Sequence, residues 1–256
     1  MSSDLPAPLE VAGVSTAYGK KRILNDVSFR LTAGEAFGLV GLNGAGKTTL
    51  LRSVLALRSA AGTITFFGEP NRRAASRRNI VYLPEKFQPS AQLYGWEYLS
   101  IHLDYFGQRV DRPLARDMAQ GLDLDPTALD RKVKTYSKGM GQKLGLIGTL
   151  LVQAPLMLLD EPMSGLDPRA RVLLKDRLME AKSAGRTIFF SSHILSDIEE
   201  ICDRIGVLHG GRIIFLGAPD EFVRTHGGQS LERAFLAALD AVDARRSETG
   251  SKADAA

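Results

Sequence analysis

The stretch "EAFGLVGLNGAGKTTLL", residues 35–51, decides the fold. Its opening, "EAFGLV", reads as a strand buried on both faces, and "TTLLRSVLAL" after it reads as a helix. Between them, Gly41 to Thr48 fits the spacing glycine, four residues, glycine, lysine, hydroxyl. The chemistry asks for these residue types. Glycines let the backbone curl so that its N–H groups point inward at phosphate oxygens. Lys47 can reach the β- and γ-phosphates, Thr48 offers a hydroxyl to Mg²⁺, and the helix adds its positive end. The plain alternative is a glycine-rich turn without a ligand. The strand before it and the helix after it weigh against that alternative.

Working outward, "LMLLDEP", residues 156–162, carries four apolar residues into Asp160 and Glu161. Taken alone, the two carboxylates could be the solvated start of a loop. A phosphate-binding loop, however, needs Mg²⁺, and Mg²⁺ needs a carboxylate from a neighbouring strand. Asp160 suits that metal, directly or through water, and Glu161 is left to orient and polarise an attacking water. Ligands of open α/β sheets sit at the carboxyl ends of strands, where this pair lies. "IVYL" (80–83) and "TIFFSS" (187–192) read as further buried strands, and helical stretches separate the later ones. The alternation predicts an α/β domain with a largely parallel sheet. "LEVAGVSTAY", "RILNDVSFRL" and "TITFFG" predict a β-rich, antiparallel N-terminal part. Residues 90–150 read as mostly helical, with Trp96, Leu99 and Leu103 on one helical face. "IGVLHGGRIIFLG" (205–217) predicts a hairpin turning at Gly210-Gly211.

Composition is that of a globular protein: 256 residues, 44% hydrophobic and 24% charged. The net charge of +4 permits an anionic partner without requiring one. A single cysteine, Cys202, predicts no internal disulfide and no thiolate metal cage, and reads as a small buried residue. The longest apolar run, Ala234 to Leu239, is far short of a membrane span, and the polar opening "MSSDLPAPLE" does not predict a secretory signal. These features predict a soluble cytoplasmic protein. "RRAASRR" (72–78) reads as a solvated loop, and His102, His209 and His226 share no metal-ligand spacing. "SLERAFLAALDAV" (230–242) reads as an amphipathic helix, and the tail 243–256 has lost its apolar residues, which predicts disorder.

From about residue 9 to 240 the sequence resembles the ATP-binding-cassette (ABC) family. Beside the two motifs above, "YSKGMGQKL" (136–144) is similar to that family's signature segment, "SGLD" (164–167) to its D-loop, and "SSHILSDIEEICDRI" (191–205) to its switch region with His193. "TAYG" puts Tyr18 where the family stacks an aromatic ring on adenine. Each segment also has a structural reading. Ser137 predicts an N-cap, with Leu144, Ile147 and Leu151 as one apolar face. Asp167-Pro168 predicts a cap followed by proline at the first helical position. A lone histidine is more often structural, and it is the family match that favours a functional reading of His193.

The resemblance implies a P-loop NTPase core, an N-terminal antiparallel β subdomain and a helical subdomain inserted at about 86–152, all within one domain, 1–242. It implies ATP and Mg²⁺ as cofactors. The nucleotide would be held by Tyr18, Gly41, Asn43, Gly44, Ala45, Gly46, Lys47, Thr48 and Thr49. Ser137, Gly139 and Asp167 would complete the site across a head-to-tail homodimer, with Ser137 and Gly139 closing on the γ-phosphate held by the other protomer. Glu161, His193 and Lys47 would be catalytic, and Thr48, Asp160 and Glu85 would face the metal. Glu85 is a departure, since the family commonly has glutamine there. Lys138 and Met140 depart too, in a form similar to that of bacterial exporter ATPases. The implied function is ATP hydrolysis that powers an exporter through separate permease subunits at the cytoplasmic membrane face, with no nucleic acid. A soluble ABC ATPase of repair or translation type is the alternative. The coiled coil of the repair type finds no room in the 90 residues between Lys47 and Lys138, and the translation type usually carries two cassettes.

Overall fold

The computed structural model describes residues 6–253, and for 245–253 the backbone alone. The first residues of the opening segment and the last of the tail lie outside the described residues. The chain runs β1 (Glu10–Tyr18), β2 (Lys21–Arg30), β3 (Ala36–Val40), α1 (Lys47–Val54), β4 (Ala61–Phe66), β5 (Glu69–Pro70), β6 (Ile80–Leu83), α2 (Gly95–Tyr105), α3 (Arg112–Gly121), α4 (Lys138–Leu151), β7 (Leu156–Asp160), α5 (Pro168–Ser183), β8 (Thr187–Ser192), α6 (Leu195–Ile201), β9 (Arg204–His209), β10 (Arg212–Gly217), α7 (Pro219–Thr225) and α8 (Leu231–Ala253).

The α/β architecture expected from the alternating pattern is the one found. A sheet of order β10-β9-β3-β8-β7-β6 is parallel except for the β9–β10 hairpin, and a smaller antiparallel sheet has the order β2-β1-β4-β5. Every residue of β3, β7 and β8 is buried, which is why these strands read as continuous apolar runs. Alternate side chains enter two separate cores. Phe37, Leu39, Leu156, Leu158 and Phe189 face α1 and the antiparallel sheet. Ala36, Val40, Met157, Leu159, Ile188 and Phe190 face the helical side, where Trp96, Leu99, Leu103, Leu144, Ile147 and Leu151 also pack.

Helix boundaries follow local chemistry. Ser137 Oγ accepts from the Met140 N–H and starts α4, and Asp167 accepts from the Ala170 N–H with Pro168 behind it to start α5. The hairpin turns at Gly210-Gly211 as expected. Residues 74–79 of the arginine-rich segment form a short 3₁₀ turn rather than a plain loop. There Arg73 pairs with Glu69, and Arg77 donates to the Asn71 carbonyl. The tail also differs from expectation: α8 continues past Val242 to Ala253. Its packed first turns, through Phe235 and Leu239, supply the nucleus, and a run of Ala, Arg, Glu and Lys among other residues then propagates the backbone helix.

Phe29 of β2, Phe37 of β3 and Phe189 of β8 stack in one column that joins the two sheets, with ring centroids 5.3 to 6.0 Å apart. Phe189 is fully buried. We expect Phe189→Ala to cost about 3–5 kcal/mol of stability, read as a lowered urea midpoint with an unchanged slope. A loss under about 1 kcal/mol would show that the column does not join the sheets.

Candidate functional site

Parallel register gathers the site. Leu39 pairs with Ser191, Val40 with Ser192, Asp160 with Ser191 and Leu83 with Leu159. The four strands β3, β8, β7 and β6 therefore end side by side, and the residues just beyond them, Gly41, His193, Glu161 and Glu85, share one end of the sheet. A cleft of about 430 Å³ opens there, lined by Asn43, Gly44, Gly46, Lys47, Thr48, Thr49, Glu85, Glu161 and His193 among others.

The loop 41–46 needs its glycines for two different reasons. A Cβ on Gly41 would lie 2.6 Å from the Leu208 carbonyl oxygen, so only glycine lets β9 pass this close. Gly46 has φ 112 and would push a Cβ against Leu24 and Ile23, and it is the residue from which α1 starts. The first turn of α1 then directs its free N–H groups and positive end at the cleft.

Inside the cleft the polar groups satisfy one another. Lys47 is buried and donates from Nζ to the Gly41 carbonyl at 2.8 Å, while Glu161 Oε1 lies 3.2 Å away. The second oxygen, Glu161 Oε2, is 2.8 Å from His193 Nδ1. A carboxylate only accepts, so Nδ1 carries the proton of this contact and Nε2 is left facing outward. Glu161 has φ 49, an uncommon left-handed conformation for a residue with a side chain. Its N–H is held there by the Ser191 carbonyl at 3.2 Å and by Ser191 Oγ at 3.1 Å.

Asp160 is different. Ser191 Oγ donates to Asp160 Oδ1 at 2.6 Å, but the buried Oδ2 has no hydrogen-bond partner. Burial raises the Asp160 pKa above the ordinary carboxylate value, the Ser191 and Thr48 hydroxyls oppose this, and Glu85 and Glu161 add to it through their charge. An unpartnered buried oxygen beside a threonine hydroxyl and further carboxylates fits a hard cation such as Mg²⁺. Among the described residues no group of three His, Cys, Asp or Glu side chains is arranged to hold a metal. The fit is thus of the kind in which one or two protein oxygens hold Mg²⁺ and phosphate oxygens supply the rest.

The remaining residues expected at the site stand apart from this cleft. Tyr18, half exposed at the tip of β1, is covered on one face by the Arg58 guanidinium 3.5 Å from its ring centroid. Ser137 and Gly139 open α4, and Asp167 caps α5. Glu85, by contrast, lines the cleft. Ser191 went unnoticed in the sequence as a site residue. Its only signal was a polar residue one before the end of a fully buried strand.

Comparison with known proteins points one way. A family profile described as "ABC transporter" matches residues 24–164. An uncharacterised ABC transporter ATP-binding protein of Synechocystis sp. is 38% identical over 82% of this chain, and the chain spans 60% of that relative's length. The Nod factor export ATP-binding protein I of Rhizobium leguminosarum bv. viciae is 36% identical over 87% of this chain and 73% of its own. A solved structure described as the ATP binding subunit of an ABC transporter superimposes with TM-score 0.79 at 33% identity, covering 90% of this chain and 98% of that one.

The uncompensated Asp160 carboxylate makes a stability prediction. Its folded pKa lies above its unfolded value, so between those two values the folded state binds the extra proton and stability falls as pH rises. At neutral pH the ionised group is a net cost to the ligand-free fold. We expect Asp160→Asn to raise the melting temperature of the ligand-free protein by about 2 °C or more. MgATP should stabilise the variant less than the parent. A lower melting temperature in Asp160→Asn would show that the carboxylate is already satisfied.

Proposed function

Given that this chain belongs to the ABC transporter family, we propose that it binds MgATP in the cleft at the ends of β3, β7 and β8 and hydrolyses it to drive a membrane transporter. The observation that carries the reading is the chain Lys47–Glu161–His193, closed by contacts of 3.2 and 2.8 Å inside a phosphate-type loop.

The chain's own residues account for the steps. The main-chain N–H groups of 43–48 and the α1 N-terminus bind the phosphate oxygens. Lys47 leaves Glu161 for the β/γ-phosphates and stabilises charge there. Glu161, released from the ammonium, orients a water and takes its proton. His193 keeps its Nδ1–H donated to Glu161, and its Nε2 can reach the γ-phosphate as a donor only when the ring carries both protons. Thr48 and Asp160 Oδ2 would hold Mg²⁺, with Glu85 nearby through water. Bound Mg²⁺ supplies positive charge to the phosphate oxygens. Tyr18 offers its uncovered face to adenine.

The assembly is also proposed. Two copies close head to tail around two MgATP, with Ser137 and Gly139 of each facing the γ-phosphate held by the other and Asp167 at the contact. No helix of the described residues is long and apolar enough to cross a membrane. The transporter reading therefore calls for separate permease subunits that hold the protein at the cytoplasmic membrane face. The export direction is supported by relatives named for Nod factor export and by the "SKGM" form of residues 137–140.

Lys47 and Glu161, paired in the ligand-free cleft, should fail differently when each is removed. We expect Lys47→Ala to fold, bind ATP weakly and lose hydrolysis. Glu161→Gln should bind MgATP at least as tightly as the parent, because the loop donors remain and Lys47 loses a competing anion. Its turnover should fall by about 10²–10⁴, and light scattering with MgATP should show a doubled mass. Parental turnover in Glu161→Gln would remove it as the base, and an inactive but monomeric variant would overturn the sandwich.

Coupling has its own test. The isolated protein should hydrolyse ATP slowly, and co-expression with its cognate permease should bring it to the membrane fraction and raise its turnover. Soluble behaviour with every candidate permease would overturn the transporter assignment.

A further inference from the structure

A buried cation ties the helical segment to the loop that carries Glu161. Lys143 of α4 is 7% exposed. Its ammonium donates to the Asp123 carbonyl at 2.8 Å and lies 3.5 Å from both Asp123 Oδ2 and Asp167 Oδ2. Asp123 follows the end of α3 in a left-handed conformation, φ 56, and Asp167 is the cap of α5. Arg169 Nε, 3.5 Å from Asp123 Oδ1, adds a second cation to the pair of carboxylates. One ammonium thus joins the end of α3, the body of α4 and the start of α5.

Two neighbours on α4 reinforce the grip. Gln142 Nε2 donates to the Pro162 carbonyl at 3.3 Å. Gly139 packs so closely on the Gly165 carbonyl that a Cβ there would lie 3.2 Å from it. Residues 162–167 follow Glu161 directly, so α4 holds this loop at its beginning, its middle and its end. We propose that Lys143 is a positioning residue for hydrolysis: it locks the 162–167 loop, and with it Glu161, to the helical segment, so that movement of that segment reaches the reacting carboxylate. The proposal rests on the role of Glu161 given above.

The chemistry favours a specific pattern of loss. A buried ammonium removed from between two carboxylates leaves like charges facing one another and a carbonyl without its donor. The loop then loses its tie to α4 at the Asp167 end, although Asp167 still caps α5. Lys143 does not line the cleft, and the loop 41–48 hangs from a different strand. Nucleotide binding is therefore spared while the placement of Glu161 is lost.

The test is a comparison of Lys143→Met, Asp167→Asn and the double variant in the full chain, with ATP affinity from equilibrium titration and kcat from phosphate release. Asn caps a helix about as well as Asp, so Asp167→Asn removes the charge that Lys143 meets and keeps α5. We expect Lys143→Met to hold ATP within about threefold of the parent. Its kcat should fall by about 10- to 10²-fold. Asp167→Asn should lose less, and the double variant should be no worse than Lys143→Met. Parental kcat in Lys143→Met, a parallel loss of affinity and kcat, or two losses that multiply would each overturn the proposal. Should Lys143→Met not fold, parental kcat in Asp167→Asn overturns it alone. Failure of the ATPase reading itself is separate: Lys47→Ala would then turn over ATP like the parent.

Discussion

The in-register parallel pairing of β3, β8 and β7 is the constraint on which the cleft depends. Asp160 and Leu39 both pair with Ser191, so one serine marks the level at which three strands end. A slip of one residue in β7 would turn every side chain to the other face and carry Asp160 away from Thr48. The slip is forbidden by the cores, because Leu156 and Leu158 belong to one and Met157 and Leu159 to the other. Packing far from the cleft thus fixes its geometry to within one residue. Ser191 then converts register into chemistry, with its hydroxyl on Asp160 and its carbonyl and hydroxyl on the Glu161 N–H.

Charge at the cleft is arranged so that the two carboxylates at the end of β7, Asp160 and Glu161, have unlike surroundings. Glu161 is neutralised from both sides, by Lys47 and by its hydrogen bond to His193. Asp160 receives hydroxyls but no cation, and one of its oxygens is bare. Removing charge from water is costly unless the partner geometry is good, so Glu161 has its partner inside the chain and Asp160 awaits one from outside. The same accounting explains how a nucleotide gains entry. On the MgATP reading, its phosphates would give Lys47 a new anion and a divalent metal would relieve Asp160.

The fold was largely legible because strands buried on both faces declare themselves as apolar runs, and Gly210-Gly211, Ser137 and Asp167-Pro168 mark ends through local chemistry. The phosphate-type loop and the Asp160–Glu161 pair were legible as motifs. What could not be read were pairings between distant positions. Nothing near Glu161 in sequence announces Ser191 thirty residues on, and nothing near Tyr18 announces Arg58. Nothing in the sequence sets Lys143 apart, yet it is buried against Asp123 and Asp167. The extension of α8 was missed for another reason. The apolar periodicity ends at Val242, but helix propagation needs only a packed start and tolerant residues after it.

The arrangement of α4 also bears on the proposed head-to-tail pairing. In a single chain the cleft is walled by α1, the strand ends and His193, while Leu42, Asn43 and Gly44 stand exposed on its open side. Phosphate chemistry in such a site gains from donors on every side and from exclusion of water. The α4 N-terminus has donors to offer, since Ser137 caps only one of its first-turn N–H groups. It cannot turn them on the cleft of its own chain, because Lys143, Gln142 and Gly139 bind its first turns to the 162–167 loop. On the head-to-tail reading, the missing wall comes from the same N-terminus of a second copy. A twofold axis then completes two clefts at once with a single type of contact, and neither cleft is closed until both are.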